Sequence, residues 1–160
     1  MRLAILLFCC SAALGQTNAP PTADQKPKAQ DYGLGVGAPT GKQVGGVDIL
    51  SDTQGVDFGP YLKEVLVEVR KNWYRLIPAS AATKKGKLAI EFAITKDGKI
   101  ADMRLVATAG DTTLDRAAWG GITACNPLKP LPEKFTGQFL ALRMRFYYNP
   151  DKDDMKAGSH

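Results

Sequence analysis

Histidine is nearly absent from this sequence. The 160 residues include one histidine, His160, at the very end of the chain. Much proton-transfer catalysis and many metal sites depend on histidine. The carboxylates that could serve in catalysis lie between residues 97 and 115, and without an internal histidine they form no base–nucleophile pair. We expect them to be turn and helix-cap residues: Asp97, Asp102, Asp111 and Asp115. We therefore predict no enzyme, no metal and no cofactor.

Long apolar runs are also missing. The longest, residues 3–14, follows Arg2 and ends before Gly15, whereas a membrane span needs roughly 20 apolar residues. A basic start, a short apolar core and small residues are typical of a secretory signal peptide. We predict a signal peptide over residues 1–15, with an uncleaved membrane tether or lipidation of Cys10 as alternatives.

Proline and glycine are concentrated near the N-terminus. Residues 16–46 are predicted to be a disordered tether, because so few apolar residues cannot offset the entropy of ordering. The glycine spacing in residues 37–42 is one short of a phosphate loop, and Gln43 stands where Ser or Thr is needed. No nucleotide site is expected. The folded domain is predicted over residues 47–149, with a disordered polar tail over 150–160.

Alternating apolar residues predict a β-hairpin over residues 86–107. Leu88, Ile90, Phe92 and Ile94 repeat with a period of two, which places them on one face of a strand. The Asp-Gly pair that follows favours a tight turn. A change of parity in the second strand predicts a β-bulge near Ala101 or Asp102.

Two helical stripes flank this hairpin. The first runs over residues 57–76, capped by Asp57, ended by Pro78 and anchored in the core by Trp73. The second begins at a capping-box spacing, Thr112 and Asp115, and ends at residues 126–127. Cys125 lies on its apolar stripe, so we expect it to be a small buried hydrophobe.

A third strand is predicted over residues 137–149. The fold class is then α+β: two helices on one face of a three-stranded antiparallel sheet, in the order α-β-β-α-β with a flexible N-terminal extension. A right-handed crossover gives the strand order two-one-three and leaves the last strand at an edge. Such an edge can bind a partner strand by β-augmentation. The predicted partner-binding residues are Phe139, Leu140, Ala141, Leu142, Arg143, Met144 and Arg145.

The formal net charge of +5 suggests a second hypothesis for the function, with an anionic partner. Residues 84–87, Lys-Lys-Gly-Lys, form a basic run. The alternative function is a structural or adaptor envelope protein that binds an anionic polymer or membrane surface without energy transduction. Its binding would fall steeply with salt.

The motifs together resemble the C-terminal domain family of TonB and TolA, closest to the TonB branch. The resemblance covers residues 47–149. It rests on Asp57-Phe-Gly-Pro-Tyr61, Asn72-Trp-Tyr74 with Pro78, Gly86 before the alternating strand, Asp97-Gly98, Gly110 to Ala118, Asn126 to Pro132, Phe135, and Phe146-Tyr-Tyr-Asn149.

The resemblance implies a periplasmic protein-interaction module. In this family the last strand pairs with a short segment of outer-membrane transport receptors, and energy from the inner membrane drives transport. It implies the same pairing residues, 139–145, as well as an inner-membrane energising complex and a possible homodimer. Nucleic acid is not an expected partner.

Overall fold

The structure is a computed structural model that describes residues 44–156. The predicted signal peptide, residues 1–15, and most of the predicted tether lie outside the described residues, as do residues 157–160. The elements in chain order are β1 (Val44–Ile49), α1 (Gly59–Leu76), a 3-10 turn (Ala79–Ala81), β2 (Gly86–Thr95), β3 (Ile100–Ala107), α2 (Thr112–Thr123), β4 (Phe139–Tyr148) and α3 (Lys152–Lys156).

The strands form one antiparallel sheet in the order β1-β4-β2-β3. The α+β fold class is confirmed, and β4 lies beside β2 as the crossover argument predicts. The described sheet has four strands rather than three. The additional strand, β1, begins at Val44, so its first residues overlap the predicted tether.

One face of the sheet and the two long helices enclose the core. In β2 the residues Leu88, Ile90, Phe92 and Ile94 are all buried, as the alternation predicts. In β4 the alternate residues of the same face are buried as well: Leu140, Leu142, Met144, Phe146 and Tyr148. The period of two therefore sets which side of each strand meets the helices.

The hairpin between β2 and β3 carries two irregularities. Glu91 pairs with Arg104 and Ala93 pairs with Ala101, so that Phe92 faces a two-residue bulge. The bulge includes Asp102, which has a positive φ of 52°. A second register shift lies one pair further along, where Val106 is the extra residue. The bulge predicted near residues 101–102 is confirmed.

Helix α1 ends at the predicted residue but begins at Gly59, two residues later than predicted, with Phe58 as its N-cap residue. The Asp57 carboxylate accepts a hydrogen bond from the Gly59 N–H at 2.8 Å, and Pro60 occupies the first turn. The helix ends at Leu76, because Ile77 is extended ahead of Pro78.

The predicted capping box of α2 is wrong. Asp111, in an extended conformation, is the cap, and its carboxylate accepts from the Thr113 N–H at 2.8 Å. Asp115 instead accepts from the Ala109 N–H and the Thr108 hydroxyl, so it holds the loop before the helix. Asp111 is the N-cap residue because it directly precedes the first helical turn.

The tail also differs from the predicted disorder. Its first residues form α3, which the exposed ion pairs Lys85–Asp151 and Lys87–Asp154 tie to the start of β2. Two acidic residues in the first turn of α3 complement the positive end of the helix dipole.

Candidate partner-binding edge

The predicted edge position of β4 is wrong. All seven predicted residues, Phe139 to Arg145, lie in β4, but β4 pairs with β2 on one side and with β1 on the other. Val44 lies opposite Tyr147, and Ile49 lies opposite Leu142. The reason is that Val47 and Ile49 enter the shared core, with exposures of 0% and 4%. The last residues of the predicted tether and the first residues of the predicted domain thus complete the sheet.

The backbone N–H and C=O groups of β4 point alternately towards its two neighbouring strands, β1 and β2. The Ala141 carbonyl accepts from the Leu50 N–H at 2.8 Å, and the Ala141 N–H donates to the Ser51 hydroxyl at 3.0 Å. In an antiparallel strand the next residue points the opposite way. The backbone groups of Ala141, Arg143 and Arg145 therefore face β1, whereas those of Leu142 and Met144 face β2.

A row of alternating charges crosses the sheet on the face away from the core. Arg104, Glu91, Arg143 and Asp48 are cross-strand neighbours on β3, β2, β4 and β1. Glu91 accepts from both arginines, at 2.6 Å in each case. Asp48 accepts from the diagonal neighbour Arg145 at 2.7 Å. The two arginines of β4, which were predicted as partner-binding residues, thus bind carboxylates on the flanking strands.

The Glu91 carboxylate lies between two arginines of this row, and its side chain is only 13% exposed. Hydrogen bonds from Arg143 lower its pKa below the ordinary 4.5; burial opposes them, and the charges of Arg143 and Arg104 assist. A carboxyl with a lowered folded-state pKa stabilises the fold above its unfolded pKa. That contribution disappears as the pH falls through the folded-state pKa.

We expect Glu91→Gln to lower the free energy of unfolding at pH 7 by about 1–3 kcal/mol, because it removes charge-assisted hydrogen bonds and leaves Arg143 half-buried. The loss relative to wild type should begin to shrink below pH 4.5, where Glu91 of the unfolded chain becomes protonated, and should vanish as the pH falls through the lower folded-state pKa. Urea unfolding from pH 3 to 7 measures this. The exposed Glu133→Gln is the control, and a pH-independent loss would contradict the assigned pairing.

The basic run is not a free cationic patch. Lys84 binds Asp111, Lys85 binds Asp151 and Lys87 binds Asp154. The hydrogen bond from Lys84, assisted by that from the Thr113 N–H, lowers the pKa of Asp111 to about 2. Each lysine of the run thus faces a carboxylate, which weakens the case for an anionic polymer at this loop.

The candidate acids have structural positions. Asp97 accepts from the Thr95 hydroxyl and pairs with Lys99 in the hairpin turn, and Asp111 and Asp115 hold the start of α2. Across residues 44–156, no group of three or more His, Cys, Asp or Glu side chains is placed to hold a metal ion. In the same range, no helix is long and apolar enough to cross a membrane.

A groove of about 630 Å³ lies between α1 and the segment after α2. Its lining includes Tyr61, Val65, Cys125 and Leu128. Cys125 is buried, as predicted; its thiol donates to the Gly121 carbonyl and accepts from Asn72. Burial raises the pKa of this thiol, so it is a poor nucleophile.

Comparison with protein families decides the classification. The family model described as "TonB C terminal" matches residues 58–146, which is more than half of the chain. The chain belongs to the TonB C-terminal family. It is a TonB-like envelope protein, and the predicted resemblance is confirmed.

The match to the TonB C-terminal family begins at Phe58 and so excludes β1. Among solved structures, the chain is similar to the TonB C-terminal domain of Helicobacter pylori determined by NMR, at 24% identity and a TM-score of 0.42, covering 64% of this chain and 95% of that one. No curated protein matches.

Sequence reasoning missed β1 as part of the site. The signal was present but weak: Val47 and Ile49 flank the polar Asp48, which is the alternation of a half-buried strand, but only over a few residues. The preceding Gly45 and Gly46 disfavour a strand, so the local sequence does not predict one.

Proposed function

We propose that this chain is a periplasmic TonB-like interaction module that binds outer-membrane transport receptors by strand addition, in energy-coupled transport. The observation that carries the proposal is membership of the TonB C-terminal family over residues 58–146. Export to the periplasm depends on the predicted signal peptide. An inner-membrane energising complex is the further partner, and a homodimer is a possible assembly.

The geometry of β4 supports strand addition at its β1-facing side. Within the family-matched residues 58–146, β4 has one neighbouring strand, β2. Among the described residues, β1 and the two residues after it, Leu50 and Ser51, cover its other side. Main-chain groups of Ala141, Arg143 and Arg145 face that side. Backbone hydrogen bonds supply affinity in β-augmentation, and alternate side chains supply specificity.

The β3 edge of the described sheet is less suitable. The outer side of β3 has no described partner strand, and Leu105 and Val106 are exposed. However, the two bulges interrupt its register. Bulges protect an edge by twisting it away from an incoming strand. We therefore favour β4, the last strand of the family-matched residues, over β3 as the strand that binds the receptor segment.

The test is a titration of the isotope-labelled chain with peptides from the N-terminal segments of outer-membrane transport receptors. Amide resonances of Ala141, Arg143 and Arg145 are expected to shift, with those of Leu105 and Val106 unchanged. A scrambled peptide is the control. Shifts confined to β3 or the helices would contradict the placement, and loss of binding at high salt with no shift in β4 would favour the polyanion alternative.

A further inference from the structure

Strand β1 lies outside the family-matched residues 58–146 and occupies the side of β4 proposed for the receptor. It ends at Ile49, and the family match begins at Phe58. Its pairing spans Val44 to Ile49 against the β4 residues Tyr147 to Leu142. A receptor segment and β1 therefore compete for the same main-chain groups.

Strand β1 is held in the sheet by fewer contacts than an inner strand. It is the outermost strand, so only one side of its backbone is hydrogen-bonded within the described sheet. Two of its residues are Gly45 and Gly46, which add no packed side chain and cost more entropy to order than other residues. Its core contribution rests on Val47 and Ile49.

The contacts of β1 define what another strand must offer. Val47 lies opposite Met144, and Ile49 lies opposite Leu142, both in the core. Between them, Asp48 is 7% exposed and its carboxylate accepts from Arg145. A strand that displaced β1 without an acid at this position would leave the positive charge of β4 without this carboxylate.

We propose that β1 is a resident strand that a partner strand displaces, and that this partner carries an acidic residue between two apolar ones. The identity of the partner as a receptor rests on the proposed function; the displacement of β1 does not.

Hydrogen exchange of the unmodified full chain tests the displacement. Amides of Arg143 and Arg145 face β1, and those of Leu142 and Met144 face β2, on the same strand. If β1 opens by itself, the first pair should exchange about 100-fold faster than the second, because local opening is easier than global unfolding. Equal protection of both pairs would overturn the proposal.

A peptide of residues 44–51 tests the recognition pattern. In full-chain Val47→Asp, a carboxylate enters the core and should drive β1 off β4, so the labelled peptide should bind this variant and bind wild type more weakly. The Asp48→Lys peptide should bind at least about tenfold more weakly, because it sets like charges together. Circular dichroism checks that the variant is folded.

The outcomes separate the two proposals. Equal binding of the peptide to variant and wild type, or no binding to a folded variant, would overturn the resident-strand proposal. Should the variant fail to fold, the hydrogen-exchange result decides alone. A peptide that binds while receptor segments do not would leave β1 displaceable and refute the receptor assignment.

Discussion

Replacing Trp73 with alanine is expected to lower the free energy of unfolding by about 3–5 kcal/mol, the range for removing a large aromatic side chain from a core. Trp73 is 1% exposed. Its ring meets Phe146 edge-on at 4.8 Å and Tyr148 at 5.2 Å between centroids. The substitution leaves a cavity where α1 packs on β4.

Trp73→Ala also removes a buried hydrogen bond, which adds to the loss of stability. Trp73 donates to the Tyr148 hydroxyl at 2.6 Å, and that hydroxyl donates to the Leu114 carbonyl at 2.7 Å. The chain of hydrogen bonds joins α1, β4 and α2. Trp73→Phe keeps a ring but removes the donor, so we expect a smaller loss of about 1–3 kcal/mol.

The second tryptophan is the matched control. Trp119 lies on α2 and is 37% exposed, so Trp119→Ala should lower stability far less than Trp73→Ala. Urea unfolding followed by far-ultraviolet circular dichroism measures both variants at the same pH. Equal losses for the two tryptophans would refute the assignment of Trp73 as the core anchor.

The parts of the fold that depend on local sequence could be predicted. Leu88, Ile90, Phe92 and Ile94 fix the face of β2 because a strand alternates strictly. Trp73 falls in the apolar stripe of α1. Proline disfavours the helical conformation in the residue before it, so the helix ends ahead of Ile77. In each case the information lies within a few residues.

The placement of β1 depends on contacts far apart in the sequence. Asp48 and Arg145 are 97 residues apart, and no local pattern joins them. A short segment with two glycines becomes a strand because β4 offers it unpaired backbone groups and a place for Val47 and Ile49 in the core. Tertiary context thus overrides low strand propensity.

The strand that contains the candidate site could be predicted, but its position within the sheet could not. Residues 139–145 lie in β4, the last strand of the family-matched region, as the predicted strand over residues 137–149 requires. The sequence could not show whether a further strand covers their backbone. Arg143 and Arg145 were the available hint, because charges on a strand of a packed sheet require partners, which Glu91 and Asp48 supply.

Gly98→Ala is expected to cost about 3 kcal/mol or more, because two penalties combine at one position. Gly98 has a positive φ of +85°, and a Cβ added there would lie 2.2 Å from the Leu128 carbonyl oxygen and 2.9 Å from that of Lys129. Both neighbours are main-chain atoms, which cannot rotate away as the end of a side chain does.

The clash matters because this turn fastens the segment between α2 and β4. The Gly98 carbonyl accepts from the Leu128 N–H at 2.9 Å, and the Lys96 carbonyl accepts from the Leu131 N–H at 3.1 Å. Moving the turn outward to admit a methyl group would break these hydrogen bonds. The loss should therefore appear as both lower stability and faster amide exchange at Leu128 and Leu131.

Gly110→Ala separates the two penalties. Gly110 also has a positive φ, +79°, but a Cβ added there would meet nothing within 4 Å. Its substitution should cost only the conformational term, about 1–2 kcal/mol. The excess loss in Gly98→Ala over Gly110→Ala, measured by urea unfolding, then reports the contact between the hairpin turn and the segment that leads into β4. Equal losses would mean that this contact yields readily and that the turn does not fasten that segment.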